Sequence, residues 1–192
     1  MEKSIKNTQT EKNLLASFAG ESQAKNRYTF FAKQAEKEGY MQIANIFRET
    51  ALQEEQHAKT FFQLLEGGKV EITCEFPAGV IGTTLQNLQE AAEGENEEYS
   101  IAYPQFAEIA AQEGFPKIAA KFKVIASVER QHELRYLRLL ESLKNNTAFE
   151  KPQPTKWMCL KCGYVHEGAK APQICPSCDH PQAYFQMKAE NY

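Results

Sequence analysis

Two Glu-x-x-His pairs, Glu54/His57 and Glu129/His132, each stand in the middle of an apolar helical stripe. The first stripe reads Ile43, Phe47, Thr50, Glu54, His57, Phe61, Leu64, and the second reads Ile118, Phe122, Ile125, Glu129, His132, Tyr136, Leu139. Alternating steps of three and four residues keep one face of a helix turned to the core. A carboxylate and an imidazole at the centre of such a face cost several kcal/mol each if left unpaired. The same costly pair occurs twice, so something in the core must compensate it, and a metal centre is the chemistry that does.

Four helices are needed to position these pairs. Periodicity predicts helices over 11–38, 40–66, 83–112 and 116–144, punctuated by Gly39, Gly67-Gly68 and Gly114, with Pro116 opening the fourth. The first carries Leu14, Phe18, Glu21, Tyr28 and Ala35 on one face. The third carries Leu88, Ala91, Glu95, Glu98, Ala102 and Ile109, with Pro104 expected to kink it. The halves repeat: Glu-Gly-Tyr at 38–40 matches Glu-Gly-Phe at 113–115, and Ala-x-x-Glu-x-Gln-His at 51–57 matches 126–132, both offset by 75. Gly20-Glu21 matches Gly94-Glu95 at an offset of 74, so one extra residue lies between Glu95 and Gly114. A helix absorbs such an insertion as a π-bulge, which is predicted here. Residues 69–82 can cross the length of a bundle. Two similar helix pairs joined by a long crossover predict an all-α four-helix, ferritin-like bundle.

The inward stripes collect Glu21 from the first helix, Glu54 and His57 from the second, Glu95 and Glu98 from the third, and Glu129 and His132 from the fourth. Each residue alone reads as a solvated Glu or a hydrogen-bonded core His. Seven in register do not, and a buried salt-bridge network lacks cations, since only Lys25 lies near the stripe. One Glu from each of two helices and Glu-x-x-His from the other two form the ferritin-like di-iron pattern, with Glu98 an addition. Carboxylate-rich ligation suits iron or manganese. Tyr28 and Tyr103 are placed to donate hydrogen bonds to ligating carboxylates, or equally to serve as core aromatics.

After a proline-bearing linker a different sequence begins, giving expected boundaries of 1–146 for the bundle, 147–155 for the linker and 156–192 for the tail. Cys159-x-x-Cys162 and Cys175-x-x-Cys178 make a four-sulfur site that suits zinc or a single iron, and spacing does not separate them. So short a segment needs its metal to fold, with Trp157, Tyr164 and Phe185 as a small aromatic core around it. Cys74 stands alone in the crossover and is assigned no role. Net charge is −3, which gives no sign of nucleic acid or an anionic membrane as partner. No apolar run approaches the roughly 20 residues of a membrane span. The polar start lacks a signal peptide's apolar region, so a cytoplasmic, reducing location is expected.

The bundle ligands taken with Cys-x-x-Cys-Gly-Tyr at 159–164 and Cys-Pro-x-Cys at 175–178 resemble the rubrerythrin family over essentially the whole chain. The Gly-Tyr and Pro embellishments resemble rubredoxin knuckles and favour iron in the tail. The resemblance implies a non-haem di-iron peroxidase that reduces hydrogen peroxide to water in oxidative-stress defence. Its cofactors would be two iron ions in the bundle and one in the tetrathiolate tail. Glu54 and Glu129 would bridge the irons, Glu21 would bind one, and Glu95 with His132 the other. Glu98 and His57 would alternate on the first iron as its oxidation state changes, which makes them the catalytic pair. Electrons would come from a donor such as a rubredoxin or an NAD(P)H-dependent reductase. A head-to-tail homodimer would bring one subunit's tail to its neighbour's bundle. Asp179 stands where many rubredoxins carry Gly. The alternatives are a ferroxidase or iron-storage protein, a zinc-bound structural module, and an oxygen-activating enzyme with an organic substrate.

Overall fold

The computed structural model of the chain describes residues 3–190. Helix α1 (Gln9–Lys37) starts at an N-cap in which the Thr8 side chain accepts from the Glu11 N–H. It runs antiparallel to α2 (Met41–Gln63). The third long helix opens on a capping box between Thr83 and Gln86 and comes in two pieces, α3 (Thr84–Glu97) and α4 (Tyr103–Gln112). Between them lies one π turn, Glu98–Ala102, inside the interval where the repeat places its extra residue. Helix α5 (Pro116–Lys144) completes the bundle. At Gly39 and Gly114 the chain takes positive φ, 83° and 82°, and reverses in the same way in both halves. The following N–H groups, of Tyr40 and Phe115, reach back to Ala35 and Ala110.

The crossover spans the whole bundle. At one end the Glu66 carboxylate accepts from the Ile5 N–H at 2.9 Å, and at the other Glu38 accepts from the Thr84 N–H at 2.9 Å. These points flank the 29 residues of α1, about 43 Å of helix at 1.5 Å per residue. The fold is therefore ferritin-like rather than a plain up-and-down bundle.

The π turn corrects the expected face of the third helix. Ala102 and Ile109 are only partly buried there, while Tyr103, Ala107 and Ala110 are buried. One extra residue turns the rest of the helix by about 100°, so the inward positions move on by one. It also accommodates Pro104, which has no N–H to give and whose ring would crowd the carbonyl four residues earlier in a regular helix.

Two apolar clusters fill the bundle, one around Tyr28, Phe31, Phe47, Leu88, Tyr136 and Leu140, the other around Leu14, Phe61, Tyr103, Phe122 and Ile125. Each buried side chain of this size contributes about 1.5–3 kcal/mol. The ionisable side chains occupy the layer between the clusters, so the apolar packing on either side sustains an expensive polar layer.

The tail is a three-stranded antiparallel sheet in the order β2-β1-β3, built from β1 (Glu150–Cys159), β2 (Val165–Lys170) and β3 (Phe185–Met187). Strand β1 begins inside the stretch expected to be linker, with Glu150 opposite Lys170. Its register slips between Glu150 and Thr155, where Pro152 and Pro154 have no N–H for the ladder. The tail rests on the end of its own bundle, where the rings of Tyr40 and Phe149 stack at 6.1 Å.

Candidate metal centres

In the bundle, six side chains converge into two overlapping groups of four, Glu21, Glu54, His57 and Glu129, and Glu54, Glu95, Glu129 and His132. In each group the ligand atoms all lie within 4.8 Å of one another. Glu54 and Glu129 belong to both, the position of a bridge. His57 Nδ1 faces Glu54 Oε2 and Glu129 Oε1 at 2.9 Å each, with Glu21 Oε2 at 3.7 Å. His132 Nδ1 faces Glu129 Oε2 at 2.9 Å, Glu54 Oε1 at 3.1 Å and Glu95 Oε2 at 3.6 Å. Each shared carboxylate thus turns one oxygen to each histidine, and the 75-residue repeat is visible as an approximate two-fold axis through the site.

The charge balance is wrong for a metal-free core. A ring nitrogen carries at most one proton, yet three carboxylates close on each Nδ1. Glu21 Oε2, Glu54 Oε1, Glu95 Oε2, both oxygens of Glu129 and His132 Nδ1 are buried with no hydrogen-bond partner. Lys25, the cation placed near the inward stripe by the sequence, turns to Glu55 at 2.8 Å. Without a cation, burial pushes the Glu95 carboxyl up to about 8, with the charge of Glu54 adding to it, and holds Glu21 well above the carboxylate range. Burial works against protonating His132, but Glu129, Glu54 and Glu95 lift it to about 12. Two divalent ions among these donors would satisfy every orphaned atom. Carboxylate oxygen with one imidazole nitrogen per metal is a donor set that suits iron or manganese.

The repeat also pairs Tyr28 with Tyr103, 75 residues apart, and the two work crosswise. Tyr28 donates to Glu95 Oε1 at 2.7 Å, and Tyr103 to Glu21 Oε1 at 2.5 Å. Each hydroxyl holds the oxygen that does not face a histidine and so aims the other one inward. Glu98 lies outside both groups, half-buried on the π turn. It borders a cavity of about 290 Å³ that Gly20, Phe76 and Tyr103 also line. Its carboxyl is held well above the usual range by burial and by the charge of Glu21.

In the tail Cys159, Cys162, Cys175 and Cys178 close into one group, with Sγ–Sγ distances of 3.8 Å for Cys159–Cys178 and 3.6 Å for Cys162–Cys175. A tetrahedron with metal–sulfur bonds of about 2.3 Å has edges of about 3.8 Å, so the four sulfurs fit one metal. The two knuckles share a backbone pattern. Gly163 N–H donates to Cys159 O and Asp179 N–H to Cys175 O, each at 2.9 Å, and both residues have positive φ, 76° and 57°. Asp179 therefore makes the turn that Gly163 makes, at the modest cost an Asp bears in the left-handed region. Trp157 and Phe185 are buried beside the sulfurs and Tyr164 is partly so.

Sequence reasoning missed two residues. Gln53 accepts from His132 Nε2 at 2.9 Å, and His180 packs edge-on against Tyr184 beneath the second knuckle. Gln53 lies one residue before Glu54 on an otherwise polar face, and only the packing of α5 against α2 brings it to the imidazole.

Fold and site together define a ferritin-like bundle with a carboxylate–histidine di-iron site and an appended rubredoxin-like domain. Residues 12–140 match the rubrerythrin family model, and residues 157–186 match the rubrerythrin rubredoxin-like domain. The chain is 58% identical to the rubrerythrin of Porphyromonas gingivalis, covering 100% of this chain and 96% of that protein. It is 51% identical to the rubrerythrin of Nitratidesulfovibrio vulgaris, over 99% of this chain and 100% of that one. Fully reduced, all-ferrous nigerythrin superposes with a TM-score of 0.63 at 31% identity, over 96% of this chain and 92% of that one. A Desulfovibrio desulfuricans bacterioferritin shares the fold at a TM-score of 0.59 and 21% identity, over 72% of this chain and 82% of that one. The chain belongs to the rubrerythrin family. It is an iron-binding oxidoreductase whose rubredoxin-like domain suits it to electron exchange with redox partners, and no helix among its described residues is long and apolar enough to cross a membrane.

Proposed function

We propose that this protein reduces hydrogen peroxide to water with electrons relayed through its tail, H2O2 + 2 H⁺ + 2 e⁻ → 2 H2O. The observation that carries the reading is a buried six-donor layer and a four-sulfur site in one chain, with the Glu98 carboxyl, held above the usual carboxylate range by burial, standing beside the layer at a small cavity. Glu21 and His57 would hold one iron, Glu95 and His132 the other, and Glu54 and Glu129 both. When bound, the iron pair would supply the two electrons that break the O–O bond, and an iron held by Cys159, Cys162, Cys175 and Cys178 would supply their replacements one at a time. Glu98 is the catalytic carboxyl: at the cavity it gives its proton to the leaving oxygen and, once ionised, balances the higher charge of the oxidised centre. His57 would hold the metal in its stead when the pair is reduced. Tyr28 and Tyr103 keep Glu95 and Glu21 aimed while this exchange occurs.

The tail contacts its own bundle at Tyr40, 14 residues before Glu54, about 21 Å along α2. That separation favours a head-to-tail homodimer in which the neighbour's tail serves the site. Mixing full-length Cys162→Ser and Glu54→Ala chains should restore peroxide turnover if electrons pass between subunits. Anaerobic reduction followed by peroxide titration, with both iron centres followed spectroscopically, tests the activity itself. Both centres should reoxidise at one peroxide per two electrons; failure of both to reoxidise quickly would sink the proposal.

A further inference from the structure

The two halves of the site match in their ligands but not in what stands behind them. His132 Nε2 meets Gln53 Oε1 at 2.9 Å. The amide's orientation is set on its far side, where Gln53 Nε2 donates to Glu49 Oε1 at 3.5 Å and Glu49 in turn accepts from Arg135 Nη1 at 3.1 Å. Since Gln53 turns an acceptor to Nε2, that nitrogen carries the ring proton, and the Nδ1 lone pair is left facing Glu54, Glu95 and Glu129. Arg135, Glu49 and Gln53 thus form a strut from the surface to the back of His132.

Moving 75 residues to the other half replaces every member of this strut. Gln53 becomes Val128, Glu49 becomes Val124, and Arg135 becomes Thr60. Val124 is largely exposed and Val128 is half-buried, and neither side chain can accept a hydrogen bond. The His57 side chain is also the looser of the two, 13% exposed against 3% for His132. From an aligned repeat with identical ligands, the hydrogen bond at the back of His132 has no counterpart from Val128 or Val124 behind His57 among the described residues.

We propose that Gln53 is a positioning residue that makes His132 a fixed ligand, and that Val128 in the matching place leaves His57 free to engage and release its metal. The inference rests on the di-iron reading and deepens it: it explains from this chain's own residues which half of a near-symmetric site is the adjustable one.

The test uses full-length ferrous protein challenged anaerobically with a graded ferrous chelator, counting the bundle irons separately from the tail iron. The wild-type protein should lose its two bundle irons in two steps, and His57→Ala should abolish the earlier one. Gln53→Leu should lower the chelator midpoint of the later step by about 10–100-fold, the usual effect of removing a ligand's hydrogen-bond partner. Gln53→Glu, which keeps an acceptor, should restore it. Val128→Gln should move the earlier step toward the later one. A single-step release from the wild type, or a Gln53→Leu protein in which the later step stays put or both steps move equally, overturns the strut. A wild-type bundle that never holds two irons overturns the di-iron reading itself.

Discussion

The bundle centre and the tail centre solve opposite problems. The bundle surrounds its donors with two apolar clusters that pack whether or not metal is present, and the cost of the buried carboxylates is met from that surplus. The tail's core cluster has five buried residues, Trp157, Cys159, Ala171, Cys175 and Phe185, and two of them belong to the four-sulfur group. Backbone knuckles aim the four sulfurs, so the tail has little to hold it once the metal goes. A centre built from side chains on long helices can lose its ions and keep its fold; a centre built from turns cannot.

Removing metal separates the two most sharply. The only tryptophan is Trp157, fully buried in the tail, so its fluorescence reports that domain alone. Chelation, or Cys175→Ser, should shift Trp157 emission to that of a solvated indole while far-UV circular dichroism keeps the helical signal. A concerted loss of both would mean that the bundle depends on its ions as well.

Within the bundle, a shared ligand should matter more than an unshared one. Glu54→Ala should release both bundle irons, because its two oxygens face different histidines, whereas Glu95→Ala should release one. Iron analysis after desalting reads this directly, and equal losses in the two variants would contradict the bridge.

The pH response of the metal-free bundle follows from Glu95. Its carboxyl is raised to about 8 in the folded state, above its ordinary value of 4.5, so the folded protein binds more protons than the unfolded one between these values. Stability must then fall as pH rises from about 4.5 through 8. Thermal melts of the chelated protein should show a lower Tm at pH 8.5 than at pH 6, and iron should remove most of that difference. An unchanged Tm would show that the carboxylates relax away from each other when empty.

Smallest is the effect of the crosswise tyrosines. Tyr103→Phe leaves Glu21 Oε1 unpaired in a buried place, which costs about 1–3 kcal/mol. It should weaken iron retention without emptying the site. By the repeat, Tyr28→Phe should act equally on Glu95, and chelator competition on both variants checks that symmetry.

Much of the fold and of the candidate site is legible in the sequence. The glycines at 39, 67, 68 and 114 punctuate the helices, the two Glu-x-x-His pairs fall on buried stripes, and the one-residue offset locates the π turn. What was misread shares a cause. Periodicity carried unchanged through the insertion turns Ala102 and Ile109 inward, although the insertion itself rotates the helix beyond it. The stretch at 147–155 reads as linker from its prolines, yet Glu150 pairs with Lys170 because the partner strand lies elsewhere in the chain. Gln53 was invisible because its partner is 79 residues away.

Sequence alone determined the identities and spacings of the candidate ligands, the doubled architecture and the four-cysteine tail, since these depend on local periodicity and on residue chemistry. Tertiary structure decided which oxygen faces which metal position, which tyrosine serves which carboxylate, and that Glu98 stands apart from the six. It also decided that Gln53 stands behind His132. Those outcomes depend on how α2 and α5 pack across the two-fold axis, and packing distances between distant segments are set by the whole core rather than by any local string of residues.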